Sequence, residues 1–171
     1  MRVLETIETR IEIREFKKKD VDKEIKLRIL EAGRLAPSGL NVQHWHYIII
    51  EGGDELKKLS DVSPTGKWVS GSNFAVVTVT DPKYKFNEID AGRAISQMQL
   101  VAWDNGIGSR LYTIKIKDQK KAKSLLKIPE EYDLTAVVGF GYPIKKIKGR
   151  KQRKEMNEVV SQNEFGKIWE F

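Results

Sequence analysis

The strongest structural signal in this chain is an apolar stripe between Asp90 and Asn105. Apolar residues recur there at spacings of three and four, so they would share one side of a helix: Ala91, Ala94, Ile95, Met98, Val101 and Ala102. Gly106 follows and is a natural C-terminal cap, because glycine adopts a left-handed backbone without strain. The pattern predicts a long helix with one face against a core.

Shorter helices and strands are predicted along the rest of the chain. Helices are expected at residues 21–36, 117–126 and 154–160, and residues 6–16 are interpreted as a short helical or mixed segment. Strands are expected at residues 47–50, 74–80, 109–116 and 134–140, the first of them buried on both faces. A chain of 171 residues with this interleaved pattern predicts one mixed α/β domain spanning residues 1–171.

Composition excludes several kinds of chemistry. The chain has no cysteine and two histidines, so disulfides, thiolate nucleophiles and cysteine-bound clusters are excluded, and no metal site is expected. No run of about 18 apolar residues and no apolar signal core occur, so we expect a cytoplasmic protein without a membrane span. The net charge of +7 fits either an anionic partner or a lysine-rich solvated surface.

Two basic pairs are candidates for an anion site. Arg10 and Arg14 would share a helix face, where like charges repel unless a bound anion such as phosphate compensates them. Pairing with nearby acids is an equally open interpretation, the candidates being Glu8, Glu12 and Glu15. Lys151 and Arg153 lie in residues 145–154, which carry seven basic residues and no acidic one. This second pair either completes the same anion site or is surface charge.

The connection at residues 36–45 is unusually rich in polar side chains. It contains a proline, a glycine, a tryptophan and three hydrogen-bonding side chains: Ser38, Asn41 and Gln43. This mixture favours a flat ligand with polar edges over a simple turn, although Asn41 and Gln43 could also serve only the turn. The sequence offers no dinucleotide-binding motif as another ligand site. The two candidate Gly-x-Gly segments, at residues 106–108 and 139–141, both lack the third glycine of that motif.

Taken together, these segments resemble the nitroreductase family of FMN-dependent oxidoreductases. The family's Arg-Arg-Ser-x-Arg-x-Phe opening corresponds to residues 10–16, and its Ala-Pro-Ser-Gly-x-Asn-x-Gln-Pro-Trp stretch to residues 36–45. Its Asp-x-Gly-x-Ala, Gly-Leu-Gly-Ser, Gly-Tyr-Pro and Lys-x-Arg segments correspond to residues 90–94, 106–109, 141–143 and 151–153. The departures are Ile11 for a basic residue, Glu12 for serine and His44 for proline.

The resemblance implies an α+β fold with a central, mostly antiparallel sheet flanked by helices, and a homodimer with FMN at the subunit interface. The tail at residues 161–171 carries three aromatic side chains that either the protein's own core or a partner subunit would bury, and we expect it to pack on the partner subunit. The FMN phosphate and ribityl end would be held by Arg10, Arg14, Lys151 and Arg153. Alongside the isoalloxazine and ribityl would lie Pro37, Ser38, Gly39 and Asn41.

The resemblance also implies where three further positions would lie relative to FMN. Gln97 would face the ribityl chain, and a backbone N–H just after Gly108 would lie near flavin N5. Glu12 falls at the phosphate end, where a carboxylate is unfavourable. We therefore expect either that Glu12 turns outward or that it weakens phosphate binding.

The implied activity is an NAD(P)H oxidoreductase with a ping-pong cycle. NADH or NADPH would pass hydride to flavin N5, and a nitroaromatic, a quinone or a similar acceptor would then be reduced. The flavin carries this chemistry, so no catalytic side chain is expected, and Arg14 would stabilise the reduced flavin. The alternatives are a flavin- or nucleotide-binding module without turnover, or a related flavin chemistry such as dehalogenation or flavin fragmentation. Nucleic-acid binding is disfavoured because residues 145–154 contain no aromatic side chain.

Overall fold

The centre of the structure is a four-stranded sheet. The computed structural model describes residues 2–145 and 151–170. In this part of the chain the strands are β1 (Trp45–Glu51), β2 (Phe74–Thr80), β3 (Gly108–Tyr112) and β4 (Asp133–Gly141). They are hydrogen-bonded in the order β1-β2-β4-β3, and each neighbouring pair is antiparallel. The expected combination of helices with an antiparallel sheet is confirmed.

Helices cover both faces of this sheet. Those described are α1 (Val3–Thr9), α2 (Lys23–Arg34), α3 (Gly53–Ser60), α4 (Asn87–Asp104), α5 (Ile116–Leu126) and α6 (Met156–Val159). Two short 3₁₀ segments occur at Gly39–Asn41 and Pro64–Gly71. In this described part of the chain, no helix has the length and apolar character needed to cross a membrane.

Strand β2 is buried on both faces, and its side chains alternate between two cores. Phe74 and Val76 join the core beneath α2 and α4, whereas Ala75 and Val77 join the core beneath α3 and α5. This alternation follows from the two-residue period of a strand.

Strand β1 was expected to be buried on both faces, and this is confirmed only in part: Ile48 and Ile50 contact one core and Tyr47 and Ile49 contact the other, but burial is incomplete. The strand lies at the sheet edge, and most of its side chains are half-buried or exposed.

The long helix predicted from the apolar stripe is confirmed as α4. It ends at Asp104, and Gly106 has the left-handed φ of +73° expected of its position. The predicted helix at residues 21–36 occurs as the shorter α2, with Asp22 at its N-cap position. Helix α3 and the segment Pro64–Gly71 had no counterpart in the sequence analysis.

Residues 10–16 are extended rather than helical, so the expected common helix face of Arg10 and Arg14 is wrong. Helix α1 ends at Thr9, and the C-cap residue Arg10 is extended, with φ of −61° and ψ of 128°. Glu12 forms a parallel bridge with Ser109 of β3, and Phe16 forms an antiparallel bridge with Pro143. In an extended chain, alternate residues point to the same side. Arg10 and Arg14 therefore still share a side, and Glu12 lies between them.

The C-terminal tail forms a small irregular hairpin. Ser161 and Ile168 are bridged, and Phe165 between them is fully exposed. Ile168 is 69% exposed, and Phe171 lies outside the described residues. Packing of this tail on a partner subunit stays a prediction.

Replacing Phe140 with alanine should strongly destabilise the fold. Its ring is fully buried and stacks on Phe74 with the ring centroids 5.0 Å apart. The substitution leaves a cavity in the core beneath α2 and α4, so the free energy of unfolding should fall by about 3–5 kcal/mol in urea denaturation. Ile116→Ala is the control, because Ile116 is 93% exposed, and it should change this free energy by less than about 0.5 kcal/mol. Equal effects of the two substitutions would contradict the packing described.

Candidate anion and ligand site

The first part of the candidate site is built where the extended segment at residues 10–16 pairs with β3. Ile13 N donates to the Ser109 carbonyl oxygen at 2.9 Å, and the Ile13 side chain is 1% exposed. Because neighbouring side chains of an extended segment point in opposite directions, burial of Ile13 turns Glu12 and Arg14 away from the core. Gly108 makes this pairing possible, since a Cβ there would lie 2.5 Å from Ile13 Cγ1.

Five cations gather around this segment, and we call them the basic cluster: Arg10, Arg14, Arg110, Lys151 and Arg153. Burial lowers the pKa of the Lys151 ammonium, and the nearby charges of Arg10 and Arg153 lower it further. Burial likewise lowers the pKa of the Arg110 guanidinium, and Arg14 adds to the effect. The cations of this cluster are therefore close enough for each positive charge to disfavour the protonated form of its neighbours.

Local contacts position two members of the basic cluster. The Lys151 ammonium donates to the carbonyl oxygen of Ile7, near the C-terminal end of α1. This contact brings a residue from beyond 150 next to the start of the chain. The Arg110 guanidinium lies over the Trp68 ring, 5.0 Å from its centroid. The two basic pairs identified in the sequence therefore meet through Arg10 and Lys151.

Glu12 is the acidic member of this site. Its Oε1 accepts from Arg10 Nη1 at 2.8 Å, and its Oε2 accepts from the backbone N–H of Leu111 at 3.1 Å. Gln99 of α4 adds a longer contact, with Nε2 3.4 Å from Oε1. One of our two expectations was that Glu12 turns away from the phosphate-binding cations. The structure differs, because the carboxylate points toward Arg10. It pairs with Arg10, as the local-pairing interpretation proposed.

Most of the charge of the basic cluster has no counter-charge within the described part of the chain. Among residues 2–145 and 151–170, no carboxylate forms an ion pair with the other four members, which are Arg14, Arg110, Lys151 and Arg153. Forked guanidinium donors and an ammonium suit an oxyanion with several acceptor oxygens. The arrangement can therefore bind an anionic group such as a phosphate.

The second part of the candidate site is the loop after α2. Three non-glycine residues of this loop have positive φ: Leu40 at +51°, Asn41 at +55° and Gln43 at +48°. Such conformations are uncommon for these residue types and persist only where the surroundings impose them. Ser38 Oγ accepts from Gln43 N at 3.0 Å, and Gln43 Nε2 donates to the Asn41 carbonyl oxygen at 3.2 Å. The Leu40 side chain is 98% exposed, so the loop presents its outer surface to solvent.

Asp90 of α4 anchors this loop. Its Oδ2 accepts from the backbone N–H of Gly39 at 2.8 Å, and its Oδ1 accepts from Arg93 Nη1 at 3.2 Å. The carboxylate is 1% exposed, and His44 Nε2 lies 3.3 Å from Oδ2. His44 Nδ1 is buried without a hydrogen-bond partner in the described residues, so the ring proton belongs on Nε2, facing Asp90.

His44 was interpreted as packing or pocket wall, and it is a packing residue. Its side chain is fully buried and stacks on Tyr84 with the ring centroids 5.5 Å apart. The anchoring role of Asp90 was missed in the sequence. The signal for it was the family-like Asp-x-Gly-x-Ala segment at residues 90–94, which placed an aspartate in the first turn of α4.

Helix α4 connects the two parts of the site. Asp90 holds the loop near its N-terminal end, and Gln99 contacts Glu12 nine residues later, about 13 Å along the axis at ~1.5 Å per residue. Pro37, with Ser38, Gly39 and Asn41, therefore lies at one end of α4 and the basic cluster nearer the other. Gln97 belongs to neither group, because it lines an apolar groove of about 390 Å³ with residues of α1 and α2. Gln99 was missed in the sequence.

One backbone N–H group close to Gly108 already has a hydrogen-bond acceptor within the chain. The N–H groups after Gly108 were expected to lie near flavin N5. The N–H of Leu111, three residues on, is directed at Glu12. Gly108 itself is buried, and its role visible here is the close packing of Ile13.

Comparison with known sequences finds relatives over most of the chain. The model of the nitroreductase family matches residues 7–77. A protein of Archaeoglobus fulgidus, named "Putative NADH dehydrogenase/NAD(P)H nitroreductase", is 33% identical over 147 residues, which cover 82% of this chain and 84% of the relative. A protein of Methanothermobacter thermautotrophicus with the same name is 29% identical over 149 residues, covering 84% of this chain and 78% of the relative.

Solved structures share the fold. The FMN-dependent nitroreductase of Clostridium difficile has a TM-score of 0.86 at 26% identity and covers 95% of this chain and 99% of its own. A Bacteroides thetaiotaomicron structure, with the same name as the Archaeoglobus relative, has a TM-score of 0.88 and covers 96% and 99%. Its identity of 23% supports likeness of fold alone.

Replacing Asp90 with asparagine should loosen the loop and destabilise the protein. The amide side chain removes the charge that Gly39 N–H and His44 face, at an expected cost of about 1.5–3 kcal/mol in free energy of unfolding. Hydrogen exchange at the Gly39 amide should accelerate by more than exchange in the sheet. Asp61→Asn is the control, because Asp61 is 56% exposed and pairs only with Lys57, so it should cost less than about 0.5 kcal/mol. Unchanged exchange at Gly39 would show that Asp90 does not anchor the loop.

Proposed function

The chain belongs to the nitroreductase family, and from this premise we propose that it is an FMN-dependent oxidoreductase that takes electrons from NADH or NADPH. The basic cluster is the observation that carries this proposal. Four of its cations have no carboxylate partner in the described residues, and they lie beside the same helix that anchors a strained, polar loop. A ligand with a phosphate at one end and a flat, polar-edged ring system at the other fits both parts.

The phosphate end of FMN would bind the basic cluster. Arg10 and Arg14 offer forked donors, and Lys151 with Arg153 adds charge from the other end of the chain. Burial lowers the pKa of Lys151, and the nearby charges of Arg10 and Arg153 lower it further, which supports this assignment because it reflects repulsion among these cations. A bound phosphate would relieve this repulsion.

The loop would bind the ring and ribityl end. Asp90 holds the Gly39 N–H, and the Asn41 side chain is exposed at the edge of the loop. The Ser38 oxygen accepts from Gln43 N, but its O–H can still donate to a ligand. A preorganised loop costs little entropy on binding, since its conformation is already fixed. Gln97 could reach a ligand only from the groove side of α4.

We also propose a homodimer in which both subunits line each site. The loop and the basic cluster are separated along α4, so one subunit's loop and its partner's cluster could enclose one ligand. Exposed apolar side chains support association, among them Val3, Leu4, Leu40, Phe165 and Ile168. The tail at residues 161–171 would pack on the partner subunit.

When bound, FMN would supply the redox chemistry, accepting hydride from NAD(P)H at N5 and reducing a nitroaromatic, a quinone or a similar acceptor in a ping-pong cycle. The chain's own residues bind and orient the ligand. The exposed Arg14 would stabilise negative charge on the reduced ring. We assign no proton transfer to a side chain.

The visible absorption spectrum before and after anaerobic addition of NADH or NADPH tests the activity. We expect flavin bands that bleach with at least one nucleotide and return when an acceptor such as a quinone is added. The matched control is the same titration without nucleotide. Flavin bands that bleach with neither nucleotide would favour a binding module or another flavin chemistry. A protein that is colourless and takes up no FMN would contradict the proposal.

Replacing Arg14 with alanine should weaken FMN binding. Loss of one charged donor near the phosphate or ring is expected to raise the FMN dissociation constant by about tenfold, as measured by quenching of flavin fluorescence. Arg28→Ala is the control, since Arg28 is exposed on α2, away from the cluster, and has the same charge. The same weakening in both variants would point to net charge alone.

A further inference from the structure

We propose that Glu12 is a built-in counter-ion of the basic cluster, which competes with the phosphate of a flavin nucleotide for Arg10. This inference rests on the proposed function. It names Glu12 as the residue that reduces the preference of the site for a phosphorylated over an unphosphorylated flavin. FMN and riboflavin share the ring system and the ribityl chain, and they differ in the terminal phosphate. A carboxylate among the phosphate-binding cations would therefore weaken binding of FMN and leave binding of riboflavin little changed.

The backbone places the Glu12 carboxylate in the cluster. Residues 10–16 are extended, so Glu12 shares a side with Arg10 and Arg14 and lies between them. Its Oε1 accepts from Arg10 Nη1 at 2.8 Å. Glu12 also acts on Arg110. Burial and the charge of Arg14 lower the pKa of the Arg110 guanidinium, and the charge of Glu12 raises it. One carboxylate thus acts on both the Arg10 and the Arg110 side of the cluster.

Neighbouring donors hold the carboxylate in this position. Its second oxygen accepts from Leu111 N at 3.1 Å, at the outer edge of β3. Gln99 Nε2 lies 3.4 Å from the first oxygen and donates to Ser109 Oγ at 3.2 Å. Rotation of Glu12 out of the cluster would leave the Leu111 N–H to solvent and break the Arg10 pair. The charge is therefore a fixed part of the site.

A phosphate and the Glu12 carboxylate make incompatible demands on Arg10. Both are anionic acceptors, so their simultaneous contact with one guanidinium brings like charges together. The remaining cations still favour the phosphate, which is why Glu12 would reduce FMN affinity without abolishing it. The Glu12 side chain is 45% exposed, so solvent and salt screen part of this repulsion.

Dissociation constants of FMN and riboflavin for wild type, Glu12→Gln and Glu8→Gln test the inference. Glutamine keeps an oxygen for Leu111 N–H and removes the charge. We expect Glu12→Gln to tighten FMN binding by about tenfold at low salt and to leave riboflavin binding unchanged. The gain should shrink at high salt, where the Debye length falls below about 10 Å. Glu8→Gln, which removes the same charge from the exposed surface of α1, should change neither constant.

A second variant, Glu12→Ser, guards against a folding defect in the first and should also tighten FMN binding. Equal or weaker FMN binding by folded Glu12→Gln would overturn the inference while leaving the proposed function intact. An equal shift for FMN and riboflavin would also overturn it, since Glu12 would then contact the shared ribityl chain. Failure of the wild type and all three variants to bind either flavin would overturn the proposed function and this inference with it.

Discussion

Close packing of α4 on α2 positions both parts of the candidate site. Gly33 of α2 faces Met98 of α4, and a Cβ at position 33 would lie 3.0 Å from the Met98 sulfur. The missing side chain lets the two helices approach closely, with Ile29 and Met98 fully buried in the same core. The loop that follows α2 then reaches the first turn of α4, where Asp90 receives the Gly39 N–H. Without this approach the strained loop would have no anchor.

Net charge alone left two interpretations open, and different regions of the surface fit each of them. Many lysines of the surface pair with nearby acids, as in Lys57 with Asp61 and Lys58 with Glu55. Such exposed pairs contribute little to stability and indicate a solvated surface. The basic cluster differs, because four of its members have no carboxylate partner among the described residues. Concentration of unpaired charge, rather than its total, is therefore the basis for proposing an anion site there.

The predictions from sequence succeeded where one periodicity dominated. Helix α4 and strand β2 each carry a pattern with a single interpretation, and both were placed within a few residues. The helix face expected to be shared by Arg10 and Arg14 was wrong, because a spacing of four residues aligns side chains both in a helix and in an extended segment. The alternation of Ile11 and Ile13 with charged neighbours was the extended signal. Pairing with β3, a contact between distant parts of the chain, decided the outcome.

The candidate site shows the same division between local and tertiary information. Composition was enough to select the loop at residues 36–45, but the anchor at Asp90 depends on the packing of α2 and α4. Gln97 and Gln99 differ by about 200° around a helix at ~100° per residue, so they face different surroundings. Gln97 faces the groove beside α1 and α2, whereas Gln99 reaches Glu12. Which neighbours each side chain reaches depends on the segments that pack beside α4, and no local pattern specifies these.

The separation of the loop and the basic cluster along α4 has a thermodynamic consequence for the proposed homodimer. If one ligand contacts the loop of one subunit and the cluster of its partner, ligand binding and subunit association are linked. Each then strengthens the other by the same factor, because the free energy of the complete assembly does not depend on the order of the steps. Glu12 would enter this linkage directly, since a carboxylate that weakens phosphate binding also weakens the ligand's contribution to association. A charge in one subunit would thus influence how firmly two subunits hold together.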